Sequence, residues 1–406
     1  MTELVGLADV QAARELLAGI TRATPLEPSR PLTAALGGPI WLKCEHLQRA
    51  GSYKVRGAYV RIARLSAAER ARGVVAASAG NHAQGVALAA GLLGTTATVF
   101  MPVNAPLPKV AATKGYGAQV QLVGATVDES LVAAQTFAER TGAVFIHPFD
   151  HPDVIAGQGT VALEILEQYP EVRTIVTGVG GGGLVSGIAV VVRALRPDVR
   201  VVGVQAAEAA AFPPSLAAGE PVRLPAYSTI ADGIAVGRPG DLTFTHVHKL
   251  VDEVVTVGEE DISRALLMLL ERNKQVVEPA GAVGVAALLA GAVEVGSPTV
   301  AVLSGGNIDP LLMLRVIEHG LAAAGRFLRI TVRCVDRPGQ LASLLTEIAE
   351  HRANVVDVVH QRVHPHLRLG EVEVALSVET RGPEHSDMLI SALRASGYQV
   401  FAAPEA

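Results

Sequence analysis

Short runs of β-branched residues recur along most of the chain, and most of them are followed by a stretch with helical apolar spacing. The runs are Ile40 to Lys43, Val74 to Ala77, Thr98 to Met101, Gln119 to Val123, Thr174 to Gly178, Val201 to Gln205, Val254 to Val257 and Val300 to Leu303. This alternation is the mark of parallel βαβ units whose sheets are covered by helices, so it predicts an α/β fold. Ser66 with Glu69 and Thr126 with Glu129 have the spacing of capping boxes at helix starts. Open parallel sheets bind ligands outside the carboxyl ends of their strands, and those loops are the ones to search.

The competing reading is a membrane protein, suggested by a mean hydropathy of +0.36. Gly73 to Pro108 and Thr174 to Val192 lack charge and are long enough to span a bilayer. Asn81, His82 and Asn104 interrupt the first, however, and the glycines Gly180 to Gly183 the second. Near the start, Glu3, Asp9 and Glu15 break any apolar leader, so a cytoplasmic location is expected. Cys44 and Cys334 form no CxxC pair and read as buried thiols. A net charge of -5 without a basic run offers nothing to nucleic acid. Small molecules are the expected ligands.

After Asn307 and a helix near Leu311 to Ala323 the pattern changes. The boundary is expected at 325/326, separating 1–325 from 326–406. The second part reads as strand Phe327 to Cys334, helix Gln340 to His351, strand Val355 to Val363, strand Glu371 to Val378, helix Ser386 to Ala395 and strand Tyr398 to Phe401. That order, βαββαβ, is the ferredoxin-like arrangement.

Several loops stand where strands end and helices begin. In Gly51-Ser52-Tyr53-Lys54-Val55-Arg56-Gly57-Ala58 a lysine opens a helix. An ammonium group is poorly placed at the positive end of a helix dipole, which makes Lys54 a candidate nucleophile. Taken alone, it is equally one surface lysine among many. Ser78-Ala79-Gly80-Asn81-His82-Ala83-Gln84-Gly85 presents free amides to a carboxylate or phosphate, although Asn81 also reads as a helix cap and His82 as an ordinary surface histidine. In Thr177-Gly178-Val179-Gly180-Gly181-Gly182-Gly183-Leu184 consecutive glycines let amides turn inward around a phosphate. Gly178 to Gly183 also satisfies GxGxxG, but the next strand ends at Gln205 where a dinucleotide site wants an acid. Ser304-Gly305-Gly306-Asn307 ends the last strand of the large part, and by itself is a turn signal.

In this chain order, SYK-x-RGA, SAGNHAQG, VGGGGL and SGGN resemble the β-family (fold type II) of pyridoxal-phosphate enzymes, most closely the threonine ammonia-lyases, or threonine dehydratases. The likeness includes Val154 to Thr160, Ala231-Asp232-Gly233 and Glu278-Pro279-Ala280-Gly281. The resemblance implies a tryptophan synthase β-like fold of two open-sheet domains, the smaller at about 50–148 inserted in the larger. It implies pyridoxal 5'-phosphate bound covalently by Lys54 beside Tyr53. The phosphate would be held by Gly180, Gly181, Gly182, Gly183 and Leu184, the ring oxygen by Asn81 and the pyridine nitrogen by Ser304. Ser78, Ala79, Gly80, Asn81 and His82 would receive the substrate carboxylate. The implied reaction is loss of water from threonine, giving 2-oxobutanoate and ammonia, with serine as a second substrate; a serine or 3-hydroxyaspartate dehydratase and a non-catalytic amino-acid sensor are the alternatives.

Three departures matter. Tyr53 replaces the usual phenylalanine. Ala79 stands where relatives that racemise serine carry a second serine, which argues against racemisation. The stretch Gln205 to Ala211 holds one acid, Glu208, so the divalent-cation site of some relatives is expected to be missing. His360, His364 and His366 read as exposed residues rather than metal ligands. The C-terminal part resembles an ACT domain, with Asp336, Pro338, Gly339, Gln340 and Leu341 as the loop that would take an amino-acid effector. A homodimer or homotetramer is expected.

Overall fold

The computed structural model describes residues 4–323, 326–362 and 367–402. The chain divides into two compact units, Met1–Pro310 and Leu311–Ala406.

The first unit holds two sheets. A six-stranded sheet has the order Leu26–Pro28, Ile40–Lys43, Thr299–Val302, Thr174–Gly178, Arg200–Ala206, Glu253–Val257; only its first pair is antiparallel. The smaller sheet is parallel throughout, with the order Gln119–Leu122, Ala97–Met101, Val74–Ala77, Val144–Phe145. Strands buried on both faces carry unbroken apolar runs, and Ala97–Met101 and Thr174–Gly178 are buried at every position. The charge-free stretch from Gly73 folds as strand, helix Asn81–Leu92 and strand, and no helix among the described residues is long and apolar enough to cross a membrane.

Local signals place several helix ends. The Ser66 Oγ accepts from the Glu69 amide at 3.2 Å while the Glu69 carboxylate accepts from the Ser66 amide at 2.8 Å. The Thr126 hydroxyl likewise accepts from Glu129, but the Glu129 carboxylate takes the amide of Ala125, one residue earlier.

The second unit is an antiparallel sheet in the order Asn354–Gln361, Glu371–Glu379, Phe327–Val335, Gln399–Ala402. Its core joins Ile330, Val332, Val374 and Leu376 to Leu344, Ile348, Leu389 and Leu393 of the helices Gln340–Glu350 and Pro383–Ala395. The division at Pro310/Leu311 falls at the start of the helix Pro310–Ala323, whereas the sequence reading placed it after that helix. Glu318 of the helix pairs with Arg329, a contact within the second unit that sequence spacing does not reveal. Cys44 is buried, but Cys334 is only half-buried. His364 and His366 lie outside the described residues.

Candidate active site

The lysine loop and the serine loop meet because their strands are neighbours. Ile40–Lys43 runs parallel to Thr299–Val302 with Lys43 opposite Val302. Beyond them Ser52 bridges Gly305, the Tyr53 amide donates to the Ser304 carbonyl at 3.2 Å, and the Gly306 amide donates to that of Gly51 at 2.9 Å. Lys54 then opens the helix Lys54–Ala63. This helix packs on Asn81–Leu92 so closely that a Cβ at Gly85 would lie 3.1 Å from the Lys54 backbone, which explains the glycine. The Lys54 Nζ donates to the Pro148 carbonyl at 3.2 Å and lies 5.3 Å from the centroid of the Tyr53 ring. Tyr53 itself packs against the core around the six-stranded sheet.

Asn81 is the first residue of its helix, at the end of strand Val74–Ala77. Its Oδ1 accepts from Asn307 Nδ2 at 2.7 Å, and its Nδ2 donates to the Glu278 carboxylate. The amide orientation is thereby fixed, with one Nδ2 hydrogen left for a ligand. Glu278 was legible only as part of a motif block, yet it is buried beside Asn81 and Gly305. Burial, reinforced by Asp232, pushes its carboxyl up to about 7 against the opposing pull of Lys109, Asn81 and Lys54.

This shift has a testable sign. A carboxyl raised above its ordinary 4.5 keeps a proton in the folded protein that the unfolded chain has lost; the stabilisation is full below 4.5 and disappears as pH rises through about 7. Glu278→Gln in cofactor-free protein is therefore expected to flatten the fall of the urea midpoint between about pH 5 and 8. An unchanged slope would remove Glu278 as its source.

His82 is not the surface histidine of one sequence reading. It is buried, and its Nε2–H donates to the Ile146 carbonyl at 2.9 Å. Burial, with the nearby charges of Lys54 and His147, pushes it down to about 3, so the ring is neutral and aimed at protein. What residue 82 offers a carboxylate is its amide at the helix start. The amides of Ala79, Asn81 and His82 donate no hydrogen bond among the described residues, whereas the Gly80 amide is taken by Ser78 Oγ at 3.1 Å.

The glycine loop joins strand Thr174–Gly178 to helix Gly183–Leu195. A Cβ on Gly181 would run into the Phe149 ring, and one on Gly182, at φ +96°, would lie 2.8 Å from Phe212. The amides of Gly180 to Leu184 donate no hydrogen bond among the described residues, and they stand at a helix N-terminus. Such a cradle of unspent donors fits a phosphate. Ser304 is buried with its Oγ 3.5 Å from the Ala280 carbonyl, a long contact that leaves the hydroxyl free to turn to a ring nitrogen.

In the second unit a cavity of about 650 Å³ is lined by Asp336, Pro338, Gly339, Gln340 and Leu341, together with Leu345 and Val374. Gly339, at φ +85°, caps the helix Gln340–Glu350, and Asp336 pairs with Arg362 at 3.3 Å. Sequence reasoning quoted Glu278 and Asn307 within motifs but gave neither a role, and it missed the segment His147–Asp150. Each acts on a residue far away in the chain, so no local pattern marks it.

The family described as "Pyridoxal-phosphate dependent enzyme" matches residues 17–305, and the ACT domain matches residues 328–394. An L-threonine ammonia-lyase of Thermotoga maritima is 48% identical, over 98% of this chain and 99% of its own length. Among solved structures, the processed form of threonine deaminase isoform 2 from Solanum lycopersicum is 36% identical with a TM-score of 0.73, covering 78% of this chain and 90% of that one. Maize serine racemase is 37% identical with a TM-score of 0.74, covering 79% and 99%. The chain therefore belongs to the family of pyridoxal-phosphate-dependent enzymes, in its threonine ammonia-lyase group, with an ACT domain following the catalytic region.

Proposed function

We propose that the chain eliminates water from L-threonine to give 2-oxobutanoate and ammonia, supplying isoleucine biosynthesis, with L-serine as a second substrate that gives pyruvate. The convergence of Lys54, Asn81, Ser304 and the unspent amides of Gly180 to Leu184 carries this reading, in a chain whose nearly full-length relatives are named L-threonine ammonia-lyase. Pyridoxal phosphate, when bound, supplies a conjugated electron sink next to the α-carbon. Lys54 is the residue that would hold it covalently, and its Nζ would take the α-proton of the substrate. The glycine loop would hold the phosphate, the remaining Nδ2 hydrogen of Asn81 would serve the ring oxygen, and Ser304 would serve the ring nitrogen. The amides at the start of Asn81–Leu92 receive the substrate carboxylate. The α-proton held at Nζ and the departing hydroxyl make up the water that is lost, and an enamine remains; in solvent it becomes the imine, adds water and loses ammonia.

Resemblance to a serine racemase favours a second reading, and Ala79 speaks against it. Relatives that racemise serine carry a serine at that position, and an alanine offers no proton donor there. The free thiols Cys44 and Cys334 fit a reducing, cytoplasmic setting. The chain is expected to work there as a homodimer or homotetramer, with an amino acid bound in the Asp336–Leu341 cavity as effector.

Ammonia release from L-threonine, L-serine and 3-hydroxyaspartate tests the substrate, and threonine should have the highest kcat/KM. A higher value for either of the others would reassign it, and no release from any would leave the sensor reading. Added isoleucine or valine should change the rate. Gly339→Val, strained at φ +85°, should abolish that response and leave the basal kcat; a retained response would move the effector elsewhere.

A further inference from the structure

The segment His147–Asp150 links strand Val144–Phe145 to helix Pro152–Gln168 and touches several parts of the cofactor site. The Pro148 carbonyl holds Lys54 Nζ at 3.2 Å. The Phe149 ring lies against Gly181, and its Cα would be 3.1 Å from a Cβ on Gly183. His147 shapes the turn: its Nδ1 accepts from the amides of Phe149 at 3.3 Å and Asp150 at 2.8 Å. Asp150 does something less local. Its Oδ1 accepts from the amides of Leu242 and Thr243, each at 3.0 Å, and its Oδ2 from that of Asp241 at 3.1 Å.

Those are the first three amides of the helix Asp241–Leu250, whose own cap residue, Gly240, has no side chain to offer. A Cβ on Gly240 would collide with the Asp150 carboxylate, so the glycine admits a remote cap. The side chain of the last of these residues turns the other way: Thr243 Oγ1 donates to the Gly181 carbonyl at 2.6 Å. In a trans peptide the carbonyl of one residue and the N–H of the next point in opposite directions. Pinning the Gly181 carbonyl towards the helix therefore turns the Gly182 N–H to the other side, where the unspent amides form the cradle.

We propose that Asp150 is a positioning residue for the phosphate loop: it fixes Thr243, Thr243 fixes the Gly181 peptide, and that peptide aims the amide donors. The inference rests on the reading of Gly180 to Leu184 as the phosphate site. It predicts that Asp150 governs recognition of the phosphate specifically, not of the pyridine ring.

The test is equilibrium dialysis of the full-length protein, stripped of cofactor, against pyridoxal phosphate and against pyridoxal. Asp150→Ala and Thr243→Val should each cut the preference for the phosphorylated compound by about tenfold, the scale of a lost cap. The double variant should lose little more than either single one, since both break the same chain of contacts. Gly182→Val serves as the loop control. If Asp150→Ala leaves the preference unchanged or weakens both compounds equally, or if the losses simply add, the inference is overturned while the phosphate-loop reading stands. If the unaltered protein shows no preference, or Gly182→Val keeps it, the phosphate-loop reading itself fails. Should Asp150→Ala not fold by circular dichroism, Thr243→Val decides alone.

Discussion

Lys54→Ala is expected to abolish ammonia release, lowering kcat/KM by at least ~10⁴, the scale seen when a nucleophile and base are lost together. It should also remove the visible absorption band of covalently held pyridoxal phosphate, without changing the far-ultraviolet circular dichroism. The reason lies in the surroundings of the amine. Lys54 Nζ is held by a backbone carbonyl rather than a carboxylate, and it forms no ion pair among the described residues. A neutral acceptor releases the amine at less cost than an ion pair would. Lys54→Arg should not rescue activity, because a guanidinium stays protonated and cannot form the covalent bond. A variant that kept the band and more than about a tenth of the rate would sink the assignment.

The largest effect on stability is expected two residues further on. Arg56 is 1% exposed, and it grips Glu45, which is fully buried, through two bonds of 2.8 Å. It also reaches Glu164 at 2.6 Å and Thr160 at 3.1 Å. Lys43, fully buried as well, completes the cluster by donating to Glu164 at 2.6 Å, Gln168 at 2.9 Å and the Thr24 carbonyl at 2.9 Å. Arg56→Met keeps the bulk but leaves two carboxylates against one lysine. Breaking a buried pair in this way costs about 3–5 kcal/mol, to be read from urea unfolding.

The pH dependence supplies a second signature. In the intact protein burial would raise the Glu45 carboxyl, but Arg56, Lys43 and Thr24 together outweigh it and hold it below 4.5. Its contribution to stability is therefore present above 4.5 and is lost as pH falls through the lowered value. Without Arg56 burial should win and the sign should reverse, so that the variant becomes relatively more stable towards acid. A parallel acid profile for both proteins would show that Arg56 does not govern Glu45.

The cluster also bears on chemistry. Arg56 sits one half-turn along the helix that Lys54 opens, and its partners lie beside strand Ile40–Lys43 and on helix Pro152–Gln168. It thus ties the start of the lysine helix to the larger part of the first unit.

Much of this architecture was legible in the residues themselves. The runs Val74–Ala77 and Thr174–Gly178 have the length, composition and flanking glycines of buried parallel strands, and they fold with those bounds. The four loops stand at strand ends because the alternation of period fixes where strands stop. The βαββαβ order of the second unit followed from alternation too, as in Glu371–Glu379, where every second residue is buried.

Other features depend on segments that meet only in the folded molecule. Glu278 stands in the block Glu278 to Gly281, but nothing near it in sequence announces that Asn81, 197 positions away, will donate to it. Asp150 belongs to none of the motifs, although it caps a helix 91 positions on. His82 has the sequence of an exposed or ligand-binding histidine, but the approach of Ile146 makes it a buried neutral ring. The sequence by itself determined strand and helix periods, the chemistry of the loops and their order, since these arise from interactions among near neighbours. Tertiary structure alone decided which groups became buried together, and so which carboxyl rose, which imidazole was silenced and which amides stayed free. Burial and charge pairing are properties of three-dimensional surroundings, and a linear pattern does not carry them.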